Sequence, residues 1–262
     1  MISLAHLPKV ISADKALTLL PEISYILLSG GVIAVPTDTI YGLACCSLSS
    51  SGINRIYEIK GRDESKPLAV CLDKAASLPQ WSNTQGIDKK LFSALLPGPV
   101  TILLPRLNND PLNPLLNPNV KEIGIRVPDC PLVCRISEAL AKVSKPDYFV
   151  GEGDIHGGKQ GVFPSAIPLV LTSANPSGQL STISPEEFSD LWPKLDLVID
   201  GGKIHEEDDL SVSRAGSTVI DLSPTVRSNC QKLHYHVLRD GSALEQTEET
   251  LHRFGYSREP TQ

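Results

Sequence analysis

The sequence predicts an α/β domain built on a twisted mixed sheet, parallel in part and antiparallel in part, with helices flanking it. Three observations carry that prediction. Short apolar, β-rich runs alternate with segments of helical period over most of the 262 residues. Some links between runs, such as Leu72 to Val100, are long enough for the crossover helix that parallel neighbours require. Others, such as Asp200 to Thr218, show no helical period, so a purely parallel sheet is not expected.

The strand-like runs fall at 32–35, 68–72, 100–104, 123–127, 169–171, 197–200, 218–222 and 235–238. Between them, Ile53, Ile56 and Tyr57 share one helical face, as do Leu132, Val133, Ile136 and Leu140. Ser184-Pro185-Glu186-Glu187 reads as a helix start: a hydroxyl N-cap, proline in the first turn, glutamate three residues on. A closing helix is expected from Ser242 to Phe254. Residues 144–168 are rich in Gly, Pro and Lys without apolar period, the pattern of an exposed insertion. The domain is therefore expected over 20–256, with 1–19 an N-terminal extension and 257–262 a tail.

Composition narrows the function classes. Apolar residues make up 41% and charged residues 21%, the balance of an ordinary globular protein with one core. No apolar run approaches the length of a membrane span, and the N-terminus lacks the pattern of a secretory signal. The expected compartment is the cytoplasm, with the mitochondrion as a second. A net charge of −6 argues against bulk electrostatic coating of nucleic acid, while leaving room for a local basic pocket. The six cysteines, at 45, 46, 71, 130, 134 and 230, contain no Cys-x-x-Cys pair and read as buried thiols. His234 and His236 alternate on one strand and point the same way, but zinc normally takes three protein ligands and no third lies nearby in sequence. No metal site is assigned.

Three polar clusters follow apolar runs, where α/β sheets carry ligands. Pro36-Thr37-Asp38-Thr39-Ile40-Tyr41-Gly42-Leu43 offers hydroxyls for a small polar ligand; the same residues suit a polar turn with Asp38 capping a following helix. Lys60-Gly61-Arg62 and then Lys66 place three cations where they could neutralise phosphates, or complement a helix C-terminus capped by Gly61. The spacing is not that of a Walker loop. Leu171-Thr172-Ser173-Ala174-Asn175-Pro176-Ser177-Gly178 could hold phosphate or adenine edges, or form an ordinary turn. Read singly, the residues reach a phosphate-binding α/β enzyme and no further.

Their order is more specific. PTDTIYGL, KGRDESKPLAV, LLPGPVTILL, IGIRVPDCP, LTSANPSG, LVIDGG, GSTVIDL and VLRDGSAL together resemble the YrdC-type threonylcarbamoyl-AMP synthase family, over about four fifths of the chain. The wording KPLAVCL and EEFSDLWPKLDLVIDGG is similar to the animal short forms, without the larger C-terminal domain of the long ones. Asp240 departs from the proline often found there. The resemblance implies a YrdC-like sheet around a basic cavity. It implies L-threonine, bicarbonate and ATP as substrates, Mg2+ carried with ATP, and threonylcarbamoyl-adenylate and pyrophosphate as products. It also implies a downstream tRNA threonylcarbamoyl transferase complex, with at most transient tRNA contact by this chain.

By the same similarity, Thr37, Arg126 and Ser217 would contact threonine, with main chain near Ala69 and Leu171. Lys60, Ser173, Asn175, Ser181 and Arg239 would serve ATP, with main chain near Glu64 and Glu122. Arg62 would lie between the two ends and, with Lys60, carry catalysis by positioning and charge. Rival readings are an RNA-binding module that uses the cavity without turnover, a carbamoyl-transfer domain of hydrogenase maturation, and a regulatory protein that has lost turnover. The acidic 206–209 stretch, shortly before Ser217, stands where a flexible lid could lie, and short charge runs of this kind suit a solvated loop better.

Overall fold

A computed structural model describes residues 7–61, 67–144, 164–176, 178–205, 214–228 and 232–259. Eleven strands run in the chain order β1 Val10–Ser12, β2 Ile33–Val35, β3 Gly42–Cys46, β4 Ala69–Cys71, β5 Val100–Pro105, β6 Glu122–Arg126, β7 Leu169–Ser173, β8 Leu197–Asp200, β9 Thr218–Asp221, β10 His234–Arg239 and β11 Ser257–Arg258. Their spatial order is β1-β8-β2-β3-β7-β4-β6-β5-β9-β10-β11. The pairs β1–β8, β8–β2, β4–β6, β5–β9 and β10–β11 are parallel and the rest antiparallel, so the expected mixed sheet is what forms.

The strand period decides which face becomes core. One cross-strand row runs Val170, Val70, Ile125, Ile102, Ile220 across β7, β4, β6, β5 and β9. All five side chains are fully buried. β-Branched residues fill this row because their stiff side chains pack well on a pleated surface. The adjacent rows point to the opposite face, and that face holds the site.

The helices cover the apolar side. Helix α1 spans Ala13–Thr18, α2 Leu20–Leu28 and α3 Ser50–Lys60. Ser49 caps α3 by accepting the Gly52 amide at 3.2 Å, and Gly61 ends it in the left-handed region at φ 53°, as a C-cap glycine should. After the short α4 Leu78–Trp81 and α5 Lys89–Leu95, helix α6 Pro131–Val143 buries Leu132, Val133, Ile136 and Leu140 against α2 and the core. The closing helices are α7 Ser223–Arg227 and α8 Leu244–Arg253.

Several elements differ from expectation. Ser184 does not start an α-helix. Residues Pro185–Lys194 form 3-10 turns broken at Phe188, whose backbone leaves the helical region while its ring packs against Tyr41 at 5.5 Å. Ser184 makes no capping bond, Glu187 is turned toward Arg214 at 2.7 and 2.9 Å, and Pro193 removes an amide from the last turn. A strand, β3, follows the Thr37 cluster where a capped helix was one expectation. Val10–Ser12, within the stretch assigned to an extension, pairs with β8, and Ser257–Arg258 pairs with β10. Most of 144–168, the acidic 206–209 stretch and Cys230 lie outside the described residues. The end of the first is anchored: Ser137 Oγ donates to the Ile167 carbonyl at 2.7 Å, and the Ile167 amide donates to the Ser137 carbonyl at 3.0 Å.

Candidate active site

The rows beside the core row make a hollow of about 280 Å³ on the other face of the sheet. Leu171, Ala69, Gly124 and Leu103 form one row of its floor; Cys71, Arg126, Thr101 and Val219 form the next. The floor is open because its central positions are small. A Cβ on Gly124 would stand 3.2 Å from Thr101 Cγ2 and 3.4 Å from Ala69 Cβ, inside the space a ligand would use. The Thr37–Gly42 turn and the Ser173, Ser181, Ser217 and Arg239 side of the molecule form the walls.

At one end the Thr37 turn and β6 meet. Thr37 Oγ1 accepts the amides of Thr39 and Ile40 at 3.1 and 3.2 Å and donates to the Ile40 carbonyl at 2.7 Å, so it folds the turn as well as facing the hollow. Asp38, one reading of which was a helix cap, instead pairs with Arg126: Nη2 donates to Asp38 Oδ1 at 2.5 Å and to Thr39 Oγ1 at 3.1 Å. Arg126 Nε donates to the Gly98 carbonyl at 3.3 Å. The guanidinium is thus oriented from behind, with its side chain only 7% exposed.

Opposite, Ser217 Oγ lies 2.8 Å from Thr101 Oγ1 and accepts from Arg239 Nη2 at 2.8 Å, while Arg239 Nε donates to the Ser217 carbonyl at 2.9 Å. Glu122, on the rim of the floor, pairs with Arg227. The third group lies where α3 ends. Lys60 is buried, and its Nζ donates to the Ser173 carbonyl at 2.7 Å, to the Asn175 carbonyl, and to Asn175 Oδ1 at 3.2 Å. Asn175 Nδ2 in turn donates to the Gln179 carbonyl at 2.5 Å. The Ser/Asn turn is therefore strapped to the end of a helix, and its far side is tied to the Thr37 turn through Tyr41 N–H to Thr182 O at 2.8 Å and Ala174 N–H to Tyr41 O at 2.9 Å.

Thr37, Ala69, Glu122, Arg126, Leu171, Ser173, Ser181, Ser217 and Arg239 thus surround one space. Lys60 and Asn175 stand directly behind Ser173. Arg62 and Glu64 lie outside the described residues. Sequence reading missed the rest of the floor: Thr101, Cys71, Gly124 and Val219 sit inside apolar runs, where the two-residue period could have placed Gly124 from Arg126, Val219 from Ser217 and Cys71 from Ala69, but had no anchor for Thr101. It also missed Tyr41, whose hydroxyl donates to the Gly202 carbonyl at 2.7 Å and accepts the Gly201 amide at 2.9 Å. Burial pushes that phenol up to about 12, partly offset by the Gly201 bond, so it stays a neutral strut. Burial likewise pushes the Cys71 thiol up to about 12, against the pull of Arg126. His234 and His236 do share a face, partly buried rather than exposed, with Nε2 atoms 3.4 and 3.8 Å from the Glu259 carboxylate. Among the described residues no three His, Cys, Asp or Glu side chains are grouped to hold a metal ion.

A small-molecule hollow on one face of a mixed sheet, walled by hydroxyls and arginines, defines an α/β protein with a site for a small polar or anionic ligand. The Sua5/YciO/YrdC family model, described as "Telomere recombination", matches residues 25–241, and the chain belongs to that family. Threonylcarbamoyl-AMP synthase of Mus musculus is 40% identical over 223 residues, covering 85% of this chain and 67% of the relative. The chain spans about two thirds of the length of the mammalian relatives it matches. P. abyssi Sua5 complexed with L-threonine shares the fold at a TM-score of 0.66 and 23% identity, covering 92% of this chain and 58% of that one. E. coli YciO superposes at 0.63 with 25% identity, covering 86% and 89%.

Proposed function

We infer that this chain is a threonylcarbamoyl-AMP synthase, an enzyme of the nucleotidyl-transfer type, and that the hollow is where its substrates meet. The observation that carries the reading is the joining of both expected substrate ends in one cavity, with Ser217 of the threonine end hydrogen-bonded to Arg239 of the nucleotide end. The relatives that bear the synthase name match most of the chain, which supports the same activity here.

The division of labour proposed here is the one that the family resemblance implies. Arg126 meets the threonine carboxylate, with Thr37 and Ser217 hydroxyls beside it and main chain near Ala69 and Leu171 along the floor. Threonine nitrogen and bicarbonate combine to a carbamate with loss of water. A carbamate oxygen then attacks the α-phosphorus of ATP, the bond from that phosphorus to the bridging oxygen breaks, and pyrophosphate leaves. Lys60, Ser173, Asn175, Ser181 and Arg239 hold the nucleotide, with main chain near Glu64 and Glu122. Arg62, which lies outside the described residues, would act with Lys60 to stabilise charge growing on the phosphate oxygens; one pre-placed donor of this kind is worth about 3–4 kcal/mol. Holding a short-lived carbamate against the phosphorus adds positioning on the order of 7–11 kcal/mol in favourable cases. Mg2+ carried with ATP would supply charge neutralisation at the phosphates. The adenylate passes to a tRNA threonylcarbamoyl transferase complex in the cytoplasm, and in the mitochondrion.

Purified chain incubated with ATP, Mg2+, threonine and bicarbonate is expected to release pyrophosphate and form an adenylate of the mass of threonylcarbamoyl-AMP. Omitting threonine should stop both. Pyrophosphate release that ignores threonine would sink the reading. The RNA-binding alternative is not favoured: the cavity is about 280 Å³, a small-molecule scale, and the chain carries a net charge of −6. No helix among the described residues is long and apolar enough to cross a membrane.

A further inference from the structure

Behind Arg126 stands a carboxylate that no part of the reaction assigned so far uses. Asp38 is 11% exposed, and its Oδ1 takes the Arg126 Nη2 bond. Its Oδ2 is buried and has no hydrogen-bond partner among the described residues. A buried carboxylate oxygen left unsatisfied costs stability, and a fold keeps such a group where the other oxygen does something that a neutral side chain would not. Among the described residues no second cation forms an ion pair with Asp38; the thiols of Cys71, Cys130 and Cys134 lie close by and are held protonated by burial.

The hydrogen bonds of Arg126 show what that is. Nε is taken by the Gly98 carbonyl, and Nη2 by Asp38 and Thr39. Nη1 makes no hydrogen bond within the described residues, and the side chain lines the hollow. A guanidinium is a planar, rigid fork, so fixing two of its nitrogens fixes the direction of the third. We propose that Asp38 is a positioning residue for threonine: it locks the Arg126 guanidinium so that Nη1 is presented to the substrate carboxylate, and it offsets the arginine's charge so that small anions without the rest of threonine's contacts are held poorly. The inference rests on the reading that Arg126 receives threonine. Asp38 itself does not line the hollow and touches no substrate.

The test measures steady-state pyrophosphate release by the full chain, varying threonine and ATP separately, for Asp38→Ala, Asp38→Asn and Arg126→Ala. Loss of the lock should raise the KM for threonine by about tenfold in Asp38→Ala, with the KM for ATP and kcat at saturating threonine within about twofold of the parent. Asp38→Asn keeps an acceptor of the same shape without the charge, so a smaller rise, about threefold, is expected. That partial rescue separates positioning from general disruption, and Asp38→Asn decides alone should the alanine variant not fold. The proposal is overturned if both aspartate variants keep the parent KM for threonine while Arg126→Ala raises it. It is equally overturned if the KM values for threonine and ATP rise together. An unchanged threonine KM in Arg126→Ala would instead remove the threonine-end reading itself, and this inference with it.

Discussion

Gly124 shows how much of this site depends on single side chains that carry no chemistry. It sits mid-floor, between Ala69 and Leu103 in register, and the nearest heavy atom to a Cβ there would be Thr101 Cγ2 at 3.2 Å. Gly124→Val would put two further methyls into the hollow while leaving the core row on the opposite face untouched. Activity should fall on the order of 100-fold, as for other misplacements of bound substrate, with the melting temperature little changed. Threonine binding by calorimetry checks it; undiminished affinity would mean that the substrate lies elsewhere. Thr101→Val is gentler. It removes the 2.8 Å partner of Ser217 Oγ without changing shape, and a neutral hydrogen bond of this kind is worth about 1 kcal/mol, near fivefold in kcat/KM. At this scale the sequence was read unevenly. Hydroxyls announce themselves in PTDTIYGL and LTSANPSG, and the structure brings Thr37, Tyr41, Thr172 and Ser173 to one hollow. Gly124, Thr101 and Val219 look like any strand residues, and their role exists only once five strands are laid in register.

Among the elements, the Ser/Asn turn after β7 is held less by its own hydrogen bonds than by a helix end. Lys60 Nζ gathers the Ser173 and Asn175 carbonyls and the Asn175 side chain from across the sheet. Hydrogen bonds to a charged donor contribute about 1.5–3 kcal/mol, and removing the donor also leaves buried carbonyls unsatisfied. Lys60→Ala should therefore do two things at once: abolish nucleotide-dependent turnover and loosen residues 174–182. Hydrogen exchange separates them. Faster exchange at the Ala174 and Gln179 amides, with α3 unchanged, is the expected pattern; unchanged exchange there would show that Tyr41 alone holds the turn. The elements legible beforehand were those with a strong period, α3 and α6 among the helices and most of the central strands. Those that escaped are short or polar by composition. β1 is three residues at an edge, and β3 follows a hydroxyl-rich turn that suits a helix cap equally well. Pro185–Lys194 has the correct start signals for a helix, yet burial of Phe188 against Tyr41 and the Glu187–Arg214 pair outweigh them.

For the molecule as a whole, the buried thiols set a limit on stability that acid-side reasoning would miss. Cys45, Cys46 and Cys71 are fully or almost fully buried, and all five cysteines among the described residues are free. Burial raises Cys45 well above its ordinary value, Cys46 to about 11 and Cys71 to about 12, from 9.0. Each raised value means that the folded chain keeps a proton the unfolded chain releases. Their stabilisation is then fully present below pH 9, where thiols in both states are protonated, and is lost as pH climbs toward the folded values. Between pH 9 and about 11, Cys46 and Cys71 should each subtract about 1.4 kcal/mol per pH unit, with Cys45 acting in the same direction. A domain of this size has a margin of only about 5–15 kcal/mol, so the effect is large. Urea midpoints measured from pH 7 to 11 should be flat at first and then fall steeply above pH 9. Replacing Cys45 with alanine should lower the plateau by removing buried volume, yet flatten the decline, since one of the titrating groups is gone. A decline of unchanged slope in that variant would trace alkaline unfolding to other groups, with Tyr41 and Tyr235, both pushed up to about 12, the next to replace.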